Sequence, residues 1–418
     1  MSVEVRRQRI AAFLAQPLLA RLLRALDGDG EETRVVGGSV RDLLLGEPVG
    51  DVDLATTALP EETMRRGRAA GFKAVPTGID HGTVTLVGEG TGFEVTTLRR
   101  DVETDGRRAT VAFGRDFVAD ALRRDFTVNA LSLGQDGVVH DHCGGIADLA
   151  ARRIRFIGDA TTRIREDYLR ILRFFRFHAR FAGGPVDAEG FAACVACRAG
   201  LEGLSRERVR AELMKLLVAP GALPALRSMA EGGLLMPILG RVPLLSRLAA
   251  IAGDGGGGDV YPAFRLAALA VRVREDAAAL RERLRLSNAE FDRIERLALA
   301  LEALAGRSEP PEIVGLRRLG LRLGADAVAG ALVLEAATAP AHEQELCRAL
   351  VAELGRTPPF RPGGRETMAR GVPAGPAVGR VLEEARRLWI EAGAPGGEEE
   401  QLRCVDAAVL ACNIRGAG

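Results

Sequence analysis

The chain has 418 residues, of which 47% are hydrophobic and 27% charged, which is the composition of an ordinary globular protein and excludes a disordered one. Its length favours two to four domains over a single core. The net charge of +1 provides no global basic field for a polyanionic partner, so any such binding must come from local charge. No apolar run is long enough to span a membrane. The six scattered cysteines are typical of reduced thiols, which predicts a cytoplasmic protein.

The N-terminal part predicts a mixed α/β domain. Residues 1–26 have the pattern of an amphipathic helix interrupted by Pro17. Between residues 34 and 133, the β-rich runs RVVGG, GTVTLVG, FEVTTLRRDV and FTVNALSL alternate with the helical segments SVRDLLLG and LPEETMRRGRAAG. Such alternation indicates strands packed with helices.

After about residue 150, the pattern becomes helical. TTRIREDYLRILRFFRFHARF and SRERVRAELMKLLV have apolar residues at helical spacing, and Ser205 is a suitable N-cap for the second segment. Residues 253–258 (GDGGGG) predict a flexible break. A second break at residues 357–379 precedes a final helix predicted around residues 381–392. No internal repeat is present, and the predicted fold class is α+β.

The stretch VVGGSVRDLLLGEPVGDVDLA predicts a metal site. Asp51 and Asp53 stand two residues apart, so on a strand both side chains point to the same face, with Val52 turned into the core. Two adjacent carboxylates repel each other and need a cation between them. Their oxygen ligands suit Mg²⁺, which keeps several waters and bridges to substrate phosphates.

The residues before this acidic pair predict a triphosphate site. Gly37 and Gly38 permit close approach of a phosphate to the backbone, and the N-terminus of the following helix favours an anion. Ser39 is a natural N-cap, and Gly46 a natural helix end. Arg41 lies one turn into the helix, where a guanidinium can bind a phosphate oxygen. A glycine pair or an Asp-x-Asp alone is usually structural, whereas their combination in this order is more specific.

Two further clusters carry charge downstream. In ALRRDFTVNALS, Arg123 and Arg124 precede a predicted strand. In IREDYLRILRFFR, charged residues recur every three positions, so that neighbours share a helix face: Asp167, Arg170, Arg173 and Arg176. Salt bridges on an amphipathic helix are the ordinary explanation for such spacing.

Two possible metal motifs have simpler explanations. Cys194 and Cys197 are spaced like metal ligands, but no second pair follows, and residues three apart on one helix explain the spacing. His140 and His142 in HDHCGG are expected to belong to a turn.

Taken together, these stretches resemble the class II tRNA nucleotidyltransferase and poly(A) polymerase family. GGSVRDLLLGEPVGDVD is similar to its motif A, RRDFTVNAL to motif B, EDYLRILRFFR to motif D and LSRERVRAELMKLL to motif E. TLRRDVETDGRRATVAF resembles the motif C region. The similarity is ordered and covers about residues 34–218. Where the family usually has Asp-Pro before Gly-Gly, this chain has HDHC.

This resemblance implies a nucleotidyltransferase head of the DNA polymerase β type followed by helices. The implied domains are a head at residues 1–150, a neck with the nucleotide-selecting helix at 151–230, a body at 231–360 and an RNA-binding tail at 361–418. In the tail, GPAVGR (residues 375–380) is either a phosphate-binding helix N-terminus or a plain turn before a helix.

The resemblance also implies site residues. Asp51 and Asp53 are the implied catalytic metal ligands, and Glu94 is the candidate third carboxylate. Glu166 is expected to hold an arginine. The implied nucleotide-binding residues are Gly38 and Arg41 for the triphosphate, Arg124, Asp125 and Asn129 near the nucleotide and ribose, and Asp167, Arg170, Arg173 and Arg176 at the base or triphosphate.

The implied reaction is template-independent addition of CCA to the 3′ end of tRNA from CTP and ATP, with two Mg²⁺ ions and no membrane partner. A poly(A) polymerase or an A-adding enzyme carries the same motifs, so this alternative stays open. Two other classes are an RNA-binding module with a decayed head and a nucleotidyltransferase for small molecules. The latter leaves about 200 helical residues without a role.

Overall fold

A computed structural model of the chain describes residues 3–104, 109–253, 261–307 and 311–412. The chain divides into two compact units, Met1–Ile238 and Leu239–Gly418. The described residues of the first unit contain all the strands and are followed by helices, and those of the second unit are helical. The predicted α+β class is therefore confirmed. The finer division after residues 150, 230 and 360 stays a prediction.

The strands of the first unit form a mixed sheet and a separate hairpin. The sheet has the order β3-β4-β5-β2-β1-β8-β9. In this sheet β2 and β5 pair in parallel, whereas the other neighbours are antiparallel. The hairpin consists of β6 and β7. The bounds are β1 Thr33–Val36, β2 Val52–Thr56, β3 Lys73–Gly78, β4 Thr83–Gly88, β5 Thr91–Thr97, β6 Arg99–Thr104, β7 Ala109–Phe113, β8 Ser132–Leu133 and β9 Val139–His140.

Helices flank this sheet and continue beyond it. The predicted helix of residues 1–26, interrupted by Pro17, is present as α1 and α2. The helix predicted in LPEETMRRGRAAG is present as α4. The bounds are α1 Val3–Leu14, α2 Pro17–Leu26, α3 Gly38–Leu45, α4 Pro60–Ala69, α5 Phe117–Leu122, α6 Gly145–Ala150, α7 Ala160–Glu166, α8 Leu169–Phe181, α9 Ala188–Ala196, α10 Arg206–Leu217, α11 Ala222–Glu231 and α12 Leu235–Leu239.

The strand predicted over residues 126–133 is mostly wrong. Thr127–Asn129 form a 3₁₀ turn, and only Ser132–Leu133 pair as a strand. A side-chain hydrogen bond stabilises this turn: the Thr127 hydroxyl donates to Asp148 Oδ2 at 2.6 Å. β3 was not predicted, since its sequence KAVPTG contains a proline. It lies at the edge of the sheet, where a proline is tolerated.

The helix predicted over residues 161–181 is broken at Asp167. This residue has extended backbone (φ −155°, ψ 105°) between α7 and α8. Its carboxylate oxygen Oδ1 accepts a hydrogen bond from the Leu169 amide at 3.1 Å, which satisfies a free N–H at the start of α8. Asp167 therefore lies at a helix junction and is not one position of a continuous charged helix face.

The second unit contains the remaining helices: α13 Leu245–Gly253, α14 Pro262–Ala270, α15 Arg274–Leu284, α16 Asn288–Leu304, α17 Ile313–Leu323, α18 Ala325–Ala336, α19 Ala341–Gly355, α20 Gly364–Met368, α21 Pro376–Glu391 and α22 Glu398–Ala411. The predicted final helix thus begins earlier, at Pro376, and α22 follows it. Of the predicted GDGGGG break, residues 254–258 lie outside the described residues, as do 105–108 of the motif C stretch. No helix among the described residues is long and apolar enough to cross a membrane.

Candidate active site

A cleft of 740 Å³ lies over the parallel pair β2 and β5, at the start of α3 and beside α8. The structure brings almost all of the predicted site residues together around it. They are Gly38, Arg41, Asp53, Glu94, Arg124, Asp125, Asn129, Asp167, Arg170, Arg173 and Arg176. Only Asp51 of the predicted set is not among the described lining residues.

Two carboxylates lie side by side at this cleft. Asp53 on β2 is directly opposite Glu94 on β5 in the parallel register. Asp53 is exposed to the cleft, but the protein around it partly desolvates its carboxylate and so raises its pKa. The negative charges of Glu94 and Asp51 raise this pKa further, and Arg124 opposes them. Glu94 thus occupies the position expected of a third carboxylate, and its role stays a proposal.

Asp51 differs from the expectation. β2 begins at Val52, so Asp51 lies in the bend before the strand, and its side chain is exposed. Val52 is half-buried instead of fully turned into the core. The main-chain oxygen of Asp51 accepts a hydrogen bond from the Ser39 hydroxyl at 2.9 Å, which fixes this bend against α3. The negative charge of Asp51 acts on Asp53, but Asp51 lies outside the regular strand that contains Asp53.

The carboxylates fit Mg²⁺ as partial ligands. Their donors are all oxygens, which a hard cation prefers. Among the described residues, no group of three or more His, Cys, Asp or Glu side chains is placed to hold a metal by itself. Phosphate oxygens and water would therefore complete the coordination. This agrees with the preference of Mg²⁺ for one or two carboxylates plus substrate phosphates.

The start of α3 supplies backbone N–H groups beside the carboxylates. The N-cap is Gly37 (φ 71°, ψ −128°), so the prediction of Ser39 as N-cap is wrong. Ser39 lies inside the first turn and donates to Asp51 as described above. Gly46 ends the helix in the left-handed conformation, as predicted. The helix N-terminus favours a bound anion through its N–H groups and its dipole.

We expect Gly37→Ala to destabilise the head. The positive φ of Gly37 strains any other residue, and a Cβ there would lie 2.9 Å from Arg124 Nη1. Such backbone strain costs about 1–3 kcal/mol. Urea unfolding measures the loss, with Gly50→Ala as the matched control because a Cβ at Gly50 meets nothing within 4 Å. Equal unfolding free energies for the two variants would contradict the prediction.

Arg41 is buried, being 5% exposed, and its guanidinium is held on several sides. Nη1 donates to Asn129 Oδ1 at 2.6 Å, and Nε donates to Asp42 Oδ1 at 2.8 Å. The rings of Phe177 and Phe181 lie 5.2 and 4.2 Å from its central carbon. Arg41 therefore presents a fixed positive charge at the cleft wall.

Asp125 and Asn129 connect Arg41 to α8. The Asn129 amide donates to Asp125 Oδ1 at 3.0 Å, and Arg173 donates to Asp125 Oδ2 at 2.8 and 2.6 Å. Burial alone would raise the pKa of Asp125, but the Arg173 charge and these hydrogen bonds hold it below its usual value. Asp125 Oδ1 also accepts from the Phe126 amide at 2.9 Å, so each carboxylate oxygen already accepts two hydrogen bonds, and Asp125 fixes its neighbours.

Glu212 on α10 was not predicted. It is buried, and it accepts a hydrogen bond from Arg176 and lies 3.8 Å from Arg173 Nη1. Its sequence signal is weak, since one glutamate on an amphipathic helix is common. A buried carboxylate is stable only when it is paired, so Glu212 holds Arg173 and Arg176 of α8 at the cleft.

Asp120 holds two further arginines of the cleft in the same way. It is buried and pairs with both Arg123 and Arg124. Arg124 also donates to the main-chain oxygen of Asn129 at 3.2 Å. The arginine pair of motif B is therefore fixed by a carboxylate that lies before the motif.

Asp167 and Arg170 lie at the junction of α7 and α8. Asp167 Oδ2 accepts a hydrogen bond from Arg208 Nη2 on α10 at 2.6 Å. Arg170 pairs with Glu166 and donates to the main-chain oxygen of Arg163 at 2.9 Å. Glu166 also accepts from Arg163, so it holds arginines as expected. Arg208 is a further residue that the sequence pattern did not identify.

The two possible metal motifs have structural roles. The Asp141 carboxylate accepts hydrogen bonds from the amides of Cys143, Gly145 and Ile146, which makes HDHCGG a turn capped by its aspartate. Cys194 lies in α9 and is buried, and Cys197 caps the end of that helix. Both observations agree with the simpler explanations.

Chemically, the cleft combines two neighbouring carboxylates with a ring of fixed arginines. This arrangement suits a bound triphosphate with a divalent cation, since the carboxylates attract the cation and the arginines neutralise the phosphates.

Parts of the chain are similar to known protein families and to a solved structure. Residues 33–155 match the family described as the poly A polymerase head domain. Residues 185–247 match the one described as the probable RNA and SrmB- binding site of polymerase A. The crystal structure of the Bacillus stearothermophilus CCA-adding enzyme in complex with CTP is similar, with a TM-score of 0.69 and 29% identity over 95% of this chain and 99% of that chain.

Sequence relatives extend the similarity. The CCA tRNA nucleotidyltransferase 1, mitochondrial, of Danio rerio is 48% identical over 206 residues, so this chain spans about half (48%) of that protein. The protein of the same name in Mus musculus is 35% identical over 381 residues, which is 87% of this chain and 84% of that protein. Because this second alignment covers most of both proteins, the chain belongs to the tRNA nucleotidyltransferase and poly(A) polymerase family.

Proposed function

We propose that this chain is a CCA tRNA nucleotidyltransferase, which adds CCA to the 3′ end of tRNA from CTP and ATP without a nucleic-acid template. The observation that carries the proposal is one cleft that holds both the Asp53–Glu94 pair and the Asp167–Arg170 junction. The first suits transfer chemistry and the second suits the choice of a base. The names of the relatives support the same reaction.

The reaction is a displacement at the α-phosphorus of the nucleotide. The 3′ oxygen of the tRNA forms a bond to this phosphorus, the bond to pyrophosphate breaks, and the hydroxyl proton is lost. The chemistry that bound Mg²⁺ supplies is acidification of the hydroxyl and neutralisation of phosphate charge. Asp53 and Glu94, with Asp51 beside them, are the residues that would hold it.

The chain's own contribution is positioning and electrostatics. The α3 N-terminus at Gly38 and the fixed charge of Arg41 bind the triphosphate next to the carboxylates. Arg124 and Arg173 are already held by Asp120 and Asp125. Little reorganisation is therefore needed when the nucleotide binds, and this pre-arrangement lowers the barrier.

Base choice follows from hydrogen-bond complementarity. The carboxylate of Asp167 accepts from the exocyclic amine of cytosine or adenine, and Arg170 donates to their ring acceptors. Uracil and guanine present a carbonyl at the position of the amine, so two acceptors would face each other. An unpaired buried polar group costs about 1–3 kcal/mol. Arg173 and Arg176 reach the base or the triphosphate from the same helix.

The test is incorporation on tRNA that lacks its 3′ CCA. With labelled CTP alone we expect two additions, and with CTP and ATP together a single product three nucleotides longer. A ladder made from ATP alone would instead identify a poly(A) polymerase or an A-adding enzyme. Binding of tRNA without release of pyrophosphate would identify an RNA-binding protein with a decayed head.

We also assign tRNA binding to the tail, residues 361–418. It has its own core around Val381 and Val405, and its helix α21 begins after Gly375 with the exposed Arg380 in its first turns. Removing residues 361–418 should weaken tRNA binding more than CTP binding. Because Trp389 packs against Val314, deletion also uncovers apolar surface of the body.

For this reason, full-length Arg380→Glu is the second variant for the tail. It should weaken tRNA binding while CTP binding stays at the wild-type value, as measured by fluorescence anisotropy and calorimetry. If both variants kept the wild-type tRNA affinity, the assignment of the tail would be wrong.

We place the enzyme in the cytoplasm because its six cysteines are free, which suits a reducing compartment. The mouse and zebrafish relatives carry the word mitochondrial in their names. Fractionation of cells with an antibody against the chain separates these two locations.

A further inference from the structure

A second cavity of 410 Å³ lies at the C-terminal end of α3, against α8 and the end of α10. We name it the basic pocket, because its lining includes four cations: Arg152, Arg176, Arg180 and Lys215. Its apolar lining includes Phe181 and Val218, and Val218 is 44% exposed. Glu47 is the carboxylate in its lining.

Part of this positive charge has no carboxylate partner within the protein. Arg176 is paired with Glu212, and Arg180 forms a longer ion pair with Asp42, whose Oδ2 lies 3.8 Å from Arg180 Nη2. Arg152 and Lys215 are exposed, and neither takes part in an ion pair between described residues. The exposed cations therefore provide a local field for an anion, although the net charge of the whole chain is near zero.

The basic pocket is next to the cleft but separate from the triphosphate site. Arg176 lines both cavities. Gly38 at the start of α3 lines the cleft, whereas Leu45 at the end of the same helix lines the pocket. With a rise of 1.5 Å per residue, these two ends are roughly 10 Å apart. An anion in the pocket is therefore distinct from the phosphates bound at the α3 N-terminus.

The lining fits one nucleotide unit of an RNA strand. Its cations suit a backbone phosphate, and the exposed apolar surface at Val218 suits a ribose or the face of a base. An RNA whose 3′ end lies in the cleft continues outward from it, and the basic pocket shares a wall with that cleft. Free pyrophosphate has no apolar part and gains nothing from Val218.

We propose that the basic pocket binds a backbone phosphate of the tRNA acceptor strand, upstream of the 3′ end that lies in the cleft. This inference rests on the proposed function and extends it, since it assigns tRNA contacts to the first unit as well as to the tail. Arg180 and Lys215 make the phosphate contact, and Arg152 adds to the field.

The test compares the double variant Arg180→Ala/Lys215→Ala with Arg68→Ala/Lys73→Ala. The control pair is exposed in the same unit, removes the same two charges and lies outside both cavities. Binding of tRNA that ends at the discriminator base is measured between 50 and 200 mM salt. For one phosphate lost, the slope of log K against log salt becomes less steep by about 0.7–0.9. This corresponds to about five-fold weaker binding at 150 mM salt.

Three further readouts make the result decisive. The KM for CTP and inhibition by pyrophosphate should stay at the wild-type values, and thermal unfolding should show that both double variants are folded. A slope equal to that of the control pair would overturn the proposal. So would unchanged tRNA binding with weaker CTP or pyrophosphate binding, because the pocket would then serve the nucleotide. The salt slope is a binding measurement, so it is independent of whether the wild type incorporates CTP and ATP.

Discussion

Asp53→Asn should abolish nucleotide transfer while tRNA binding persists. The substitution keeps the shape of the side chain and removes the charge that attracts a divalent cation next to Glu94. Loss of a single electrostatic group at a transition state typically lowers kcat by about 10²–10³. A metal ligand should matter at least as much, because it acts on both the nucleophile and the leaving group.

Single-turnover incorporation of CTP on tRNA lacking its CCA end measures this effect. Asp51→Asn and Glu94→Gln are measured beside it, since Asp51 lies before the strand whereas Glu94 lies in register with Asp53. If Asp53→Asn kept more than about a tenth of the wild-type rate, the change in barrier would be below ~1.4 kcal/mol. The assignment of Asp53 as a metal ligand would then be wrong.

When divalent metal is absent, we expect Asp53→Asn to be at least as stable as the wild type. Partial desolvation and neighbouring carboxylates raise the pKa of Asp53 in the folded state above its unfolded value. The folded protein therefore binds this proton more tightly, so the Asp53 charge opposes folding at neutral pH, and this cost is relieved as the pH falls through the raised pKa. Asparagine removes the charge at every pH. Thermal unfolding at pH 7 in EDTA checks the sign and shows that any lost activity is not caused by unfolding.

The sequence pattern predicted the parts of the fold that depend on local periodicity. The interrupted N-terminal helix, the strand-rich stretch and the helical remainder were all visible, because apolar spacing and helix ends such as Gly46 are local signals. The 3₁₀ turn at residues 127–129 was not predicted, because a buried hydrogen bond from Thr127 to Asp148, 21 positions away, stabilises its backbone conformation. β-branched composition alone favours a strand there.

The site shows the same division between local and distant information. The sequence motifs identified Asp53, Arg124 and Asp167, which line one cleft. Several of the groups next to them in the structure are distant in sequence. Glu94 becomes the neighbour of Asp53 only through parallel pairing of β2 and β5. Likewise, Glu212 and Arg208 reach α8 only because α10 packs beside it. Arg208 and Glu212 are four positions apart on α10 and therefore share a face. The sequence does not show that this face packs against α8.

The helix break at Asp167 supports the role in base selection that we propose for this residue. Extended backbone at this residue leaves its carboxylate outside the α8 ladder, where it accepts from the Leu169 amide and from Arg208. Each carboxylate oxygen has two lone pairs, so acceptor capacity remains for a base amine. The hydrogen bond from Arg208 thereby fixes the orientation of the Asp167 carboxylate, which a side chain on a regular exposed helix face would lack.

Asp167 substitutions should therefore change base selection more than triphosphate affinity. In Asp167→Ala the amine of cytosine or adenine loses its acceptor, and the carbonyl of uracil or guanine no longer meets a carboxylate. The rates for correct and incorrect nucleotides should converge by roughly 5- to 150-fold, which corresponds to the ~1–3 kcal/mol that a mispaired polar group costs. Asp167→Asn should favour UTP further, because the asparagine amide can donate to a carbonyl.

The measurement is single-turnover incorporation of all four nucleotides on tRNA that ends at the discriminator base. Arg170→Ala should lower the use of both CTP and ATP, since it removes a donor that both bases share. Glu166→Gln is the matched control, because it removes a charge at the same junction outside the cleft while the glutamine oxygen still accepts from Arg163 and Arg170. Its selectivity should stay close to that of the wild type. If Asp167→Ala lowered all four rates by one common factor, Asp167 would serve only to join α7 to α8, and base selection would have to be sought elsewhere in the cleft.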